Sequence, residues 1–128
     1  LSEQARNLPY RCVGETRGGV TIVKLRGLFS NQVARRSGLA SIRQVVADHD
    51  AIDGHLYIFD CSDVDWIGDL FAALMIELET NFRRGGSRLV VVAPQNTPAG
   101  RTLRMFGHDR LYGIFDSESE ALKALTGD

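Results

Sequence analysis

The run Leu56-Tyr57-Ile58-Phe59-Asp60-Cys61-Ser62-Asp63-Val64-Asp65-Trp66-Ile67-Gly68-Asp69, continued by Leu70-Phe71-Ala72-Ala73-Leu74-Met75-Ile76-Glu77-Leu78, decides how this chain is read. With His55, its opening residues have the near-continuous apolar character of a strand covered on both faces. The aspartates that follow predict an acidic turn. Leu70, Phe71, Leu74, Leu78 and Phe82 then mark the buried side of a helix, with Asp69 as its expected cap and Arg83-Arg84 suited to its negative C-terminal end. A strand that delivers the chain to a helix N-terminus gathers free backbone N–H groups and the positive end of the helix dipole at one exposed spot. A functional site is expected there.

Upstream, Tyr10 to Glu15 and the alternating, β-branched Val20-Thr21-Ile22-Val23-Lys24-Leu25 flank Thr16-Arg17-Gly18-Gly19 and predict a hairpin whose second strand stops at Gly27. Ser30 or Asn31 caps a helix running to about His49, with Val33, Leu39, Ile42, Val45 and Val46 on one stripe and a break or kink expected at Gly38. Asp50 to Gly54 reads as a loop. Downstream, Gly85-Gly86 ends the second helix, and Leu89-Val90-Val91-Val92-Ala93 is a buried strand. Thr97-Pro98 starts a third helix that stops at Gly107, Leu111 to Phe115 forms a last strand, and Ser117-Glu118-Ser119-Glu120 is a capping box for the terminal helix.

The order β-β-α-β-α-β-α-β-α predicts an α/β fold: a small mixed sheet of four to five strands, with an N-terminal β-hairpin and about four packed helices. The polar stretch 1–9 is expected to be a flexible arm, and 10–128 one domain.

Composition narrows the function classes. With 15 basic against 16 acidic side chains there is no electrostatic case for a nucleic-acid partner. No apolar run approaches the ~20 residues of a membrane span, so no direct membrane insertion is expected. The two cysteines, Cys12 and Cys61, form neither a disulfide framework nor a CxxC pair, which points to a reducing, cytoplasmic setting. Asp60, Asp63, Asp65 and Asp69 invite a Mg²⁺ reading, but their spacing fits no calcium loop, and turn aspartates and caps account for them. His49, His55 and His108 lie near no nucleophile motif. No enzyme activity, metal or cofactor is expected.

The residues also resemble a known family, the STAS domains, whose best-known members are bacterial anti-sigma-factor antagonists. The resemblance runs over about residues 10 to 126 and is carried by Val20 to Gly27, Asp60 to Ile67, Gly85 to Val92, Leu103, Gly107-His108-Asp109-Arg110-Leu111 and Ile114 to Leu122. It implies a noncatalytic signalling domain that binds a protein partner, an anti-sigma factor of the kinase type or another regulatory domain, and so takes part in transcription regulation. The partner-binding and regulatory surface implied is Phe29, Ser30 and Asn31 after Gly27, with Gly68, Asp69, Leu70 and Phe71 at the second helix.

In antagonists the partner phosphorylates a serine at that helix start. Counting without gaps from Ile67, the family's aspartate falls on Gly68 and its serine on Asp69, so the switch residue is missing. Asp69 carries about −1 charge where phosphoserine carries about −1.5 to −2, which permits a permanent mimic of the phosphorylated state. It equally serves as a plain N-cap worth about 1 kcal/mol. Phe71 stands where the family has glycine, as an exposed anchor or as a core residue beside Leu74 and Leu78; Phe29 faces the same choice, and Trp66 is read as core. Because the chain begins at Leu1, a cytosolic STAS domain of a larger anion transporter or multidomain sensor is the alternative reading.

Overall fold

The computed structural model describes residues 9–49 and 55–127. The expected loop over 50–54 and all of the expected arm except Pro9 lie outside the described residues.

Five strands form one sheet in the order of the sequence: β1 (Tyr10–Arg17), β2 (Val20–Phe29), β3 (Leu56–Ile67), β4 (Arg88–Val92) and β5 (Gly113–Phe115). β1 and β2 are the antiparallel hairpin, and β2 to β5 are parallel neighbours. Helix α1 is continuous over Asn31–Val33, a π-helical turn at Ala34–Gly38 and Leu39–His49. It is followed by α2 (Asp69–Arg84), α3 (Pro98–Met105) and α4 (Glu118–Thr126). The irregularity expected at Gly38 is this π turn, which ends there.

Each parallel strand is added on the same side of its predecessor, so right-handed crossovers place α1, α2 and α3 on one face of the sheet. The larger core lies under them, around Val23, Leu25, Phe29, Tyr57, Phe59, Cys61, Val91 and Ala93. The opposite face carries a smaller core of Ile58, Val90 and Val92 under Ala121 and Leu125 of α4. Covering on both faces explains why the middle of β3 is apolar without alternation. Three of the predicted starts are capped as read: Ser30 Oγ accepts from the Val33 N–H at 3.3 Å, Thr97 Oγ1 from Gly100 at 3.1 Å and Ser117 Oγ from Glu120 at 3.1 Å.

Two expectations are corrected. β2 does not stop at Gly27 but continues to Phe29, and the acidic turn is strand, because β3 runs on beside it to Ile67. Gly27 makes this possible: its φ is +90°, and a Cβ there would come within 2.4 Å of the Pro9 carbonyl oxygen.

The extended β3 does not match β2 residue for residue. Between Lys24 and Arg26 a single β2 residue faces Cys61 and Ser62, and between Gly27 and Leu28 the β3 strand inserts Asp65 without any counterpart. Each extra residue is a bulge that reverses which face the following side chains occupy. Cys61, Val64 and Ile67 therefore all turn into the core, at spacings of three, while Asp63, Asp65 and Trp66 face water.

Phe29, at the end of β2, is wholly buried between Tyr10 and Phe71, with ring centroids 5.2 and 5.1 Å away. Truncation to alanine removes both aromatic contacts from a packed interior. Phe29→Ala is expected to lower unfolding free energy by about 3–5 kcal/mol in urea titration with an unchanged native circular-dichroism spectrum.

Candidate functional site

Because β2 and β3 are parallel neighbours and each feeds a helix, the N-termini of α1 and α2 emerge side by side at one end of the sheet. The Gly68 N–H donates to the Phe29 carbonyl at 2.9 Å, which carries the pairing one step beyond the strands. Ser30 caps α1, leaving the neighbouring Asn31 side chain free to reach across. Its Oδ1 accepts from the Leu70 N–H of α2 at 3.0 Å.

Asn31 is therefore not the cap of its own helix but a side-chain acceptor for the next one. The residue formally preceding α2 is Gly68, which has no side chain to offer, and Asp69 occupies the first helical position without capping it. The expected cap role of Asp69 is corrected accordingly. Gly68 has an ordinary negative φ, so its lack of a side chain serves close approach: a Cβ there would lie 2.4 Å from Asn31 Oδ1 and 2.9 Å from the Asn31 nitrogen. Any side chain at 68 would push Asn31 out of its bridge.

Of the sequence-predicted residues, Ser30, Asn31, Gly68 and Leu70 are half-buried and come together at this junction, and Asp69 is exposed beside them. Its carboxylate stands in the first turn of α2, where the helix dipole favours negative charge. Of the two roles open to Phe29 and Phe71 the core one holds, since both side chains are wholly buried with their rings in tilted contact beneath the junction, and their expected place on the partner-binding surface is corrected. They hold the two helix starts at a fixed separation.

The exposed aromatic of the site is one the sequence reading placed in the core. Trp66 is 58% exposed, next to Leu28, its register partner on β2, which is 36% exposed. The bulge at Asp65 is what turned it outward; without that extra residue, Trp66 would follow Val64 inward. Nothing local in the sequence marks the bulge, which exists only in the pairing, where consecutive Gly27 and Leu28 meet Val64 and Trp66 across the unmatched Asp65. A large aromatic and an aliphatic side chain, paired in register and both open to water, are residue types that suit an interface centre, and Asp65 beside Trp66 in the strand is exposed as well.

The acidic residues disperse. Asp60 Oδ1 accepts from the Ser62 N–H at 3.0 Å and from its hydroxyl at 2.6 Å. Burial raises the Asp60 pKa, but hydrogen bonds from Glu118 and Ser62 and the Lys24 charge outweigh it, and the net shift is downward. Asp63 pairs with Arg26 at 4.0 Å on the surface. Among the described residues no three His, Cys, Asp or Glu side chains converge in a metal-holding arrangement. The histidines hold structural bonds, His49 with Thr16 at 2.9 Å, His55 with Thr21, and His108 with Tyr112 at 2.6 Å. Cys61 is fully buried, and burial pushes its thiol pKa far up.

Three solved structures share this architecture. An anti-sigma factor antagonist from Mycobacterium paratuberculosis superposes with a TM-score of 0.76 at 20% identity, covering 91% of this chain and 94% of the other. The Thermotoga maritima protein TM1081 gives 0.70 at 17% identity, over 90% of this chain and 94% of its own. The anti-sigma factor antagonist SpoIIAA, in its unphosphorylated form, gives 0.67 at 13% identity, over 92% and 98%. The chain thus has the fold of the anti-sigma factor antagonists, the one its sequence resembles. No protein-family model matches the sequence, and neither does any curated protein.

The Asn31 bridge separates capping from charge. Asn31→Ala removes the only side-chain acceptor seen at the start of α2 among the described residues and is expected to cost about 0.5–2 kcal/mol, whereas Asn31→Asp keeps an acceptor oxygen and most of the stability. Asp69→Asn is expected to change stability by only a few tenths of a kcal/mol, the size of an exposed charge–dipole contact. Chemical denaturation of the three variants checks the order.

Proposed function

We propose that this chain is a noncatalytic regulatory domain that binds an anti-sigma factor of the kinase type through the surface around the start of α2, with Asp69 standing where antagonists carry a phosphorylatable serine. The observation that carries the reading is that Trp66 and its register partner Leu28 are both exposed near the ends of the strands that lead into α1 and α2, on the fold of the anti-sigma factor antagonists. A solvent-exposed tryptophan flanked by a smaller aliphatic side chain suits the centre of a protein interface, where Trp is enriched among the residues that dominate binding energy.

The rigid elements beneath it support the same reading. Phe29 and Phe71 lock the two helix starts together, and Asn31 joins them by a side-chain bond, so a partner meets a preformed surface and loses little to ordering. Asp69 gives that surface a constant negative charge, smaller than a phosphate and present in every molecule. Binding by a partner that rejects the phosphorylated state would then be weakened permanently, and replacing the charge would restore it.

The test is affinity capture of anti-sigma kinases encoded beside this protein, using wild type, Asp69→Ser and Trp66→Ala. Trp66→Ala is expected to weaken binding at least about tenfold, the effect of losing a residue worth more than about 1.4 kcal/mol. Asp69→Ser is expected to bind more tightly and to accept phosphate from the kinase and ATP at position 69. Equal recovery of partner by wild type and Asp69→Ser rejects the mimic, and stoichiometric phosphorylation of Ser30 or Ser62 in wild type shows a switch located elsewhere. Failure of every form to retain a kinase removes the partner assignment itself.

A further inference from the structure

We propose that the chain forms a two-fold homodimer by antiparallel pairing of β1 with β1 of a second copy, centred on Val13. Among the described residues β1 is an outer strand of the sheet, with no strand on its far side. At eight residues it is much longer than the three-residue strand β5 at the other edge. An edge of this length presents a row of unpaired backbone groups and is a template for strand addition unless something blunts it.

The register with β2 tells which groups those are. The Leu28 N–H donates to the Pro9 carbonyl at 2.9 Å, and the pairing continues as Tyr10 with Gly27 and Arg11 with Arg26. In an antiparallel ladder hydrogen-bonded and non-hydrogen-bonded positions alternate. With Pro9 bonded inward, Arg11, Val13, Glu15 and Arg17 also bond to β2. Tyr10, Cys12, Gly14 and Thr16 therefore direct both N–H and C=O outward, away from the sheet.

The side chains select how a second copy would add. Tyr10 and Cys12 pack under α1, and Gly14 lies against Val45 and His49 of the same helix. The opposite face of β1 shows Arg11, Val13 and Glu15 to solvent, with Val13 55% exposed. This is a symmetric pattern: one cation and one anion, each two residues from a central β-branched residue. When two such strands pair antiparallel about Val13, Arg11 of each copy faces Glu15 of the other, and the two Val13 side chains meet on the axis.

That register also satisfies the edge. Tyr10 exchanges hydrogen bonds with Thr16 of the second copy, and Cys12 with Gly14, while the Val13 and Arg11–Glu15 positions become the close, non-hydrogen-bonded pairs in which side chains interact most. A shift of the axis to Gly14 sets Arg11 against Arg17, and a shift to Cys12 leaves Arg11 facing Val13. Of these three axes only the one at Val13 pairs opposite charges. Glu15 already binds Arg17 of its own strand at 2.8 Å, and a carboxylate with two oxygens accommodates a second cation. Edge charges that normally repel a second strand are here complementary to their own reversed copy.

Sedimentation equilibrium of the full chain tests this, with an expected mass of twice 14.1 kDa as concentration rises. Arg11→Glu and Glu15→Arg each create like-charge pairs on both sides of the axis and are expected to weaken self-association at least about tenfold. An equimolar mixture of the two variants restores opposite charges at both positions and is expected to recover the dimer, an outcome that misfolding of either variant would not give. In a Cys12→Ser background, Val13→Cys is expected to form a disulfide-linked dimer on mild oxidation. A wild-type monomer at every concentration overturns the proposal, as does a dimer indifferent to Arg11→Glu or a mixture that stays monomeric.

Discussion

The parallel pairing of β2 with β3, with extra residues on β3 at two points, is the constraint on which the rest of the structure depends. It carries the chain from the middle of the sheet to the paired helix starts, and each extra residue changes which side chains meet the core. Gly27 supplies the backbone freedom on the β2 side, where the chain passes close to Pro9 in a conformation that disfavours a side chain. Without the bulges, alternation would bury Asp63 and expose Val64. With them, Cys61, Val64 and Ile67, at spacings of three rather than the strand's two, all find the interior, and the charged residues between them stay in water at little desolvation cost.

The same pairing makes the junction of α1 and α2 rigid. Two helix N-termini placed side by side bring several unpaired N–H groups and two like-signed dipole ends together, an arrangement that needs acceptors. Ser30 serves one helix and Asn31 the other, and the glycine at 68 leaves room for the Asn31 side chain to cross. Beneath, the Tyr10–Phe29–Phe71 cluster of tilted rings ties the hairpin, the end of β2 and α2 into one packed unit.

The two faces of the sheet are unequal in a way that follows from chain direction. Sequential parallel strands with crossovers of one hand commit three helices to one side, and only the helix after the last strand covers the other. α4 reaches Ile58, Val90 and Val92 but not the far end of β3, so Trp66 and Leu28 remain open to solvent there. The exposure of Trp66 and Leu28 is thus a product of topology.

The sequence by itself determined the order of elements, the hairpin, and the starts of α1, α3 and α4, because these depend on contacts within a few residues: a hydroxyl three positions before an N–H, a glycine pair after a helix, apolar residues at a helical or strand period. It also marked the strand-to-helix passage into α2 as the place to expect a site. Only the tertiary structure decided that the acidic segment is strand, that Asn31 rather than Asp69 serves the start of α2, that Phe29 and Phe71 are buried beneath the helix junction and that Trp66 is exposed. Each of these turns on the register between β2 and β3, strands far apart in the chain. One inserted residue there reverses a side chain's face while leaving the local sequence signal unchanged.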